Sequence, residues 1–180
     1  MIRVDIETII MVGGPMPSVI VLRERGDKSA SEAPLRALSI QTGAFEAASI
    51  GRGIDRPSGE RPITHDLMTE VISQLGGKLE RVEIDRVDAP VFYASLVMAS
   101  GSEATQDGEA PVPATAREIR IDARPSDALA LAVRSNAPIY VEDDVMNRAG
   151  SISYQAEGDA EEELARFDRF VENLSPDDFS

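Results

Sequence analysis

One succession of elements occurs twice along this 180-residue chain, and it limits the fold more than any other feature. Strand, strand, charged loop, short strand and helix occupy roughly residues 1–53, and the same order returns over 78–136. In the first unit Ile2, Val4 and Ile6 alternate with Arg3, Asp5 and Glu7, the period of a half-buried strand. Gly13-Gly14-Pro15-Met16-Pro17 breaks that strand, and Ser18–Leu22 resumes as a buried one. A charged loop from Arg23 to Pro34 leads to a short strand over Leu35–Ile40. Thr42 then stands where it can cap a helix over Gly43–Arg52, closed by Gly53.

In the second unit Val82 and Ile84 alternate with Glu83 and Asp85, and Asp88-Ala89-Pro90 turns the chain into Val91–Ala99 as a hairpin. A long polar loop over 101–116 precedes a short strand at Glu118–Asp122. Ser126 reads as the cap of a helix through Ser135, which Asn136 ends ahead of Pro138. Between the units, Thr64 is the expected N-cap of a helix with Asp66 in its first turn. Leu67, Met68, Val71, Ile72 and Leu75 share one face of it, and Gly76-Gly77 ends it. Ile139–Val141 reads as a last short strand and Asp143–Ala149 as a short helix closed by Gly150. The expected fold class is α+β: a mixed sheet with packed helices, built on an internal duplication of a β-β-β-α unit.

Residues 1–150 form the expected domain, and residues 151–180 an acidic tail. In the tail, Asp159 and Glu162 make a capping-box-like start. Ala160, Leu164, Phe167, Val171 and Leu174 follow at three- and four-residue spacing, an amphipathic helix that docks on its own domain, on a symmetry mate or on a partner.

The chain carries 32 acids against 18 bases, a net charge of −14. The tail alone holds nine acids and two arginines, a net of −7, so half the excess lies outside the domain. An acidic protein is repelled by phosphate backbones and acidic membrane surfaces, which argues against a general nucleic-acid binder. With no cysteine there is no disulfide framework, thiolate zinc cluster or cysteine nucleophile. A single histidine, His65, rules out a His-rich metal site. Arg3, Asp5 and Glu7 interrupt any secretory leader over Met1–Val12, and no run reaches ~18 apolar residues, so the expected location is the cytoplasm.

Three segments carry chemistry. In Arg61-Pro62-Ile63-Thr64-His65-Asp66-Leu67 a histidine beside an aspartate at a helix start suits a general base, or a ligand with its orienting carboxylate; the plainer reading is a helix cap with an exposed imidazole. In Asp122-Ala123-Arg124-Pro125-Ser126-Asp127 two carboxylates flank a strand-to-helix turn. They can converge on a hard cation such as Mg²⁺ with Arg124 clamping a phosphate, or Arg124 can simply bridge Asp122 or Asp127. Glu46 is the lone acid on a small, apolar helix and either pairs with an arginine or completes a cation site.

Together the 61–67 block, Phe92-Tyr93-Ala94, and Arg-Pro-Ser-Asp-Ala-Leu-Ala-Leu-Ala (124–132) leading to Ala137-Pro138-Ile139 resemble the bifunctional nuclease domain family. The resemblance covers about residues 1–150, and the closing segment 167–179 is similar to the end of many bacterial and archaeal members. One edge departs from the family pattern: where members usually read Leu-Pro-Ile-Trp-Ile-Gly, this chain has Leu38-Ser39-Ile40-Gln41-Thr42-Gly43. The resemblance implies a self-associating α+β domain, a dimer or a multiple of dimers, and cleavage of RNA and DNA.

Carried over residue by residue, it makes His65, Asp66 and Asp127 the catalytic candidates. Arg61, Arg124 and Ser126 become the phosphate-binding ones. Asp122, Asp127 and Glu46 become holders of Mg²⁺ or another divalent cation, with no organic cofactor and no membrane partner expected. The competing classes are a non-catalytic self-associating scaffold and a small-anion module using the helix starts at Thr64 and Ser126. A nuclease this acidic needs a local arginine groove.

Overall fold

Alternating side chains build two antiparallel meanders, and a three-residue strand joins them. A computed structural model of the chain describes residues 1–11, 16–26, 35–57, 61–100 and 118–152. The expected tail helix lies outside the described residues. The first meander consists of β1 (Ile2–Ile10), β2 (Ser18–Glu24) and β3 (Arg36–Thr42), followed by helix α1 (Ala44–Asp55). After α2 (Thr64–Gln74) comes a second meander of β4 (Gly77–Asp88), β5 (Val91–Ser100) and β6 (Glu118–Ala123), followed by α3 (Pro125–Ser135). The chain continues through β7 (Ile139–Val141), α4 (Asp143–Ala149) and β8 (Gly150–Ile152).

The eight strands form one sheet in the order β6-β5-β4-β7-β1-β2-β3-β8. β7 pairs antiparallel with β1, Ile2 opposite Val141, and parallel with β4, Val82 opposite Ile139. That parallel seam makes the sheet mixed, so the α+β expectation stands. Both meanders share strand order and a following helix; common descent of the two is an inference from the sequence pattern.

The core follows from the strand period. Val4, Ile20, Leu22, Leu38 and Ile40 come from the first meander, and Val82, Ile84, Ala94 and Leu96 from the second. Ala128, Leu129, Leu131 and Ala132 of α3, Ile50 of α1, and Val145 and Met146 of α4 pack with them. Small residues let α1 and α3 approach closely. A methyl group on Gly53 would lie 2.5 Å from Val133 Cγ2 and from Arg134 Nη1.

Several helix ends differ from the sequence reading. Gly43, not Thr42, is the N-cap of α1, and the helix runs past Gly53 to Asp55 because Gly53 serves the crossing with α3 rather than a stop. Arg56 ends it in the left-handed region at φ 46°. Ile63, not Thr64, precedes α2; the cap there is the Asp66 carboxylate, which accepts the Ile63 N–H at 2.9 Å. Arg124 rather than Ser126 is the N-cap of α3, since Pro125 fits the first helical position and moves the start two residues earlier. Asn136 ends α3 as read, at φ 53°. Gly150 closes α4 as read, as its C-cap in extended backbone, and it also begins β8, paired with Leu38.

The apolar stripe on α2 is present but is not core, for no residue of α2 is buried. Leu67, Met68, Val71 and Leu75 stay exposed, Leu75 at 81%. No helix among the described residues is long and apolar enough to cross a membrane.

Candidate functional site

The first turns of α1, α2 and α3 converge, and their polar side chains close into a ring. Ser49, one turn into α1, has its Oγ 2.8 Å from His65 Nδ1. His65 Nε2 lies 3.4 Å from Asp127 Oδ1. Arg124 clamps Asp127 with two bonds, Nε to Oδ2 at 2.7 Å and Nη2 to Oδ1 at 3.0 Å. Its Nη1 reaches back to Glu46 Oε1 on α1 at 3.3 Å. Glu46 and Ser49 are three residues apart on one helix face, which returns the ring to its start.

The ring sets the proton positions. Hydrogen bonding from the Arg124 guanidinium is the largest influence on Asp127 and, with His65, holds its carboxyl below the ordinary value despite partial burial. An ionised carboxylate cannot face an imidazole lone pair, so Nε2 carries the ring proton and donates it. Nδ1 is then the acceptor, and Ser49 Oγ–H donates to it. Arg124, 65% exposed, spends three of its five N–H groups on Asp127 and Glu46, leaving two to face solvent.

Asp66 faces the other way from its neighbour His65. Burial pushes its carboxyl up, but the Ile63 N–H and Arg134 outweigh that and hold it below the ordinary value. Arg134 Nε donates to it, while Arg134 Nη1 donates to the Ser49 and Ala130 carbonyls at 3.0 and 2.9 Å. Asp66 is thus a structural clasp for the helix crossing rather than a partner of His65. Arg61 also lies on that flank and is not next to Arg124. It lines a pocket with Arg52, Arg56 and Arg134. Ser126 is buried in the first turn of α3, so its hydroxyl is not offered to a phosphate at the surface.

Asp122, exposed on β6, shares a groove of about 740 Å³ with His65 and Asp127, walled by Leu67, Met68, Val71 and Ile121. A divalent cation on Asp122, Asp127 and Glu46 finds no matching donor set. No three carboxylate or imidazole groups among the described residues converge on one point. Asp127 presents both oxygens to Arg124, and the guanidinium stands between it and Glu46.

Of the eight residues singled out from sequence, Glu46, His65, Arg124 and Asp127 come together, and Asp122 borders them; Arg61, Asp66 and Ser126 do not join. Ser49 escaped sequence reasoning, since a serine inside an Ala-rich helix has no local signature. Its spacing of three from Glu46 was the one available signal. Phe45 escaped too: it stands 91% exposed beside Glu46, where a helix residue of its kind is normally buried.

A mixed eight-stranded sheet with three helix starts gathered around one histidine defines a class of α+β domain, and comparisons agree with it. The family model for the bifunctional nuclease domain matches residues 21–153. The uncharacterized proteins MT1877 and Rv1829 of Mycobacterium tuberculosis, from strains CDC 1551 / Oshkosh and ATCC 25618 / H37Rv, are each 36% identical over 171 residues. Those alignments cover 89% of this chain and 87% of each relative. The chain belongs to the bifunctional nuclease domain family.

Proposed function

We propose that the chain hydrolyses phosphodiester bonds of RNA and DNA, with His65 as the proton-transfer group and Arg124 as the phosphate contact. The observation that carries this reading is the Ser49–His65–Asp127 chain of hydrogen bonds, which holds one titratable ring between a hydroxyl and an anion. Family membership supports the choice of substrate. A water attacks phosphorus as its proton passes to Ser49 Oγ, and the Ser49 proton passes to His65 Nδ1. The P–O bond to the leaving group breaks, and the leaving oxygen takes a proton from solvent. Asp127 balances the imidazolium until His65 returns its proton to solvent. The two outward N–H groups of Arg124 bear on the charge that builds on the phosphoryl oxygens. Phe45 offers an exposed ring on which a base can stack.

The test is purified protein on single-stranded RNA and DNA, with and without chelator, beside His65→Ala and Asp127→Asn. A loss of about 100-fold or more in His65→Ala is expected, the scale of acid–base catalysis. The donor geometry predicts activity that survives chelation. Cleavage unchanged in both variants would sink the reading, and cleavage abolished by chelator would move the chemistry to a metal set that these side chains do not form as they stand.

Self-association belongs to the same proposal. The apolar side chains exposed among the described residues, Leu67, Met68 and Val71 on α2 with Ile119 and Ile121 on the edge strand β6, support it, with a second copy as the occupant. Val71→Glu with Ile121→Glu is expected to halve the mass measured by light scattering. A wild-type chain that is monomeric at micromolar concentration would exclude it.

A further inference from the structure

The His65 ring is not where positive charge accumulates. There, Arg124 is already matched by Asp127 and Glu46. The surplus lies on the opposite flank of α2, in a separate cavity of about 390 Å³. Four guanidinium groups line it from three places in the fold. Arg52 and Arg56 stand one turn apart at the end of α1, Arg61 comes from the connection into α2, and Arg134 from the last turn of α3. Among the described residues two carboxylates line the same cavity, Asp66 and Glu70. The balance of the described lining residues is therefore +2 in a chain whose total is −14.

The carboxylates do not cancel the arginines one for one. Asp66 is committed to Arg134 and the Ile63 N–H. Glu70 accepts from Gln74 at 2.7 Å. Arg56 donates to the Val133 carbonyl at 3.0 Å and has no carboxylate partner among the described residues. Arg61, exposed, has neither hydrogen bond nor ion pair among them. Helix-terminus stabilisation accounts for Arg52 and Arg56 at the negative end of α1, but not for Arg61, which stands before the first turn of α2 where a cation is disfavoured. A cation held against the dipole, in a concavity it shares with three others, fits an anion that several guanidinium groups grip together.

We propose that this cavity is a phosphate-binding site, distinct from the His65 centre, in which Arg61 and Arg56 grip the oxygens and Arg134 and Arg52 supply the surrounding positive field. The ligand is a phosphate group, borne by a free nucleotide or by a nucleic-acid strand. Binding here does not require His65 to be catalytic. It gives a chain of net negative charge a place where a phosphate is attracted rather than repelled.

The experiment is calorimetric titration of the full chain with inorganic phosphate, with a nucleoside 5′-monophosphate and with a single-stranded oligonucleotide, at two salt concentrations. Arg61→Ala is expected to weaken phosphate binding about tenfold, and Arg56→Ala with Arg61→Ala to abolish it. Arg148→Ala, on the exposed face of α4, is expected to bind as wild type does. Saturation by monophosphate assigns the site to free nucleotides, and binding of the oligonucleotide alone assigns it to strands. Equal affinity in wild type and in the double variant, with unchanged circular dichroism, would overturn the proposal, as would no binding of any of the three. The readout is binding rather than cleavage, so an inactive His65 centre and an absent phosphate site give different results.

Discussion

Two glycines show how single atoms hold the site. At Gly43 a methyl group would overlap the Glu46 carboxylate, which folds back over the start of α1. That carboxylate is the far end of a flexible side chain, so Gly43→Ala displaces it at little cost in stability. The expected result is a nearly unchanged melting temperature with loss of the Glu46–Arg124 contact, read as a fall in cleavage rate. At Gly53 the obstruction is Val133, a β-branched side chain on a packed helix with few rotamers to move into. Gly53→Ala is expected to destabilise by about 1–3 kcal/mol, measured by denaturant titration, because α1 and α3 must part. Ser49→Ala is milder: it removes one hydrogen bond, about 1 kcal/mol, and leaves His65 Nδ1 without its donor.

Secondary elements were the most legible level of the sequence, and the reasons for success and failure are physical. The period of two in Ile2, Val4 and Ile6, and the turn signal Asp88-Ala89-Pro90, are local patterns, and β1 and the β4–β5 hairpin follow them. Helix starts slipped by one or two residues because polar side chains near a start compete for the cap. At α2 a carboxylate inside the helix does the capping, and at α3 Pro125 fixes the first position. The one-faced stripe on α2 is legible in the sequence, but what covers it is not, because spacing says nothing of which neighbour completes the packing. The candidate site was half legible: the motif blocks named His65, Arg124 and Asp127, but a pairing of Ser49 with His65 across two helices leaves no trace in spacing.

The strand β4 shows the same limit from the buried side. Glu83 has a side chain only 1% exposed, where alternation calls for a solvated face. It is held by Arg81 at 2.6 Å and by Arg120 of β6 at 2.7 Å. Removing both arginines leaves a buried carboxylate unmatched, so Arg81→Ala with Arg120→Ala is expected to cost about 3–5 kcal/mol in a chemical melt.

At the scale of the whole molecule, acid stability follows from carboxylates held below their ordinary values. Arg36 is the main cause for Glu24, and Arg124 for Asp127; Asp66 is held by Ile63 N–H and Arg134 against its burial. Each is more acidic folded than unfolded. Its stabilising contribution is therefore fully present above the ordinary carboxylate range and is lost as pH falls through the lowered values. Circular dichroism should show the fold intact at pH 6 and failing on acidification below about pH 4. Glu24→Gln should cost about 1.5 kcal/mol at neutral pH and make the remaining stability less sensitive to acid.

β7 has a further consequence, one that concerns time. Among the described residues this strand of three is the only link in the sheet between β4 and β1, and it is encoded after both meanders and α3. During synthesis the first meander therefore has no completed edge on the β1 side until Val141 has left the ribosome. Nascent chains arrested before Ala137 should expose β1 and β4 to chaperones and proteases, and chains arrested well beyond Val141 should not.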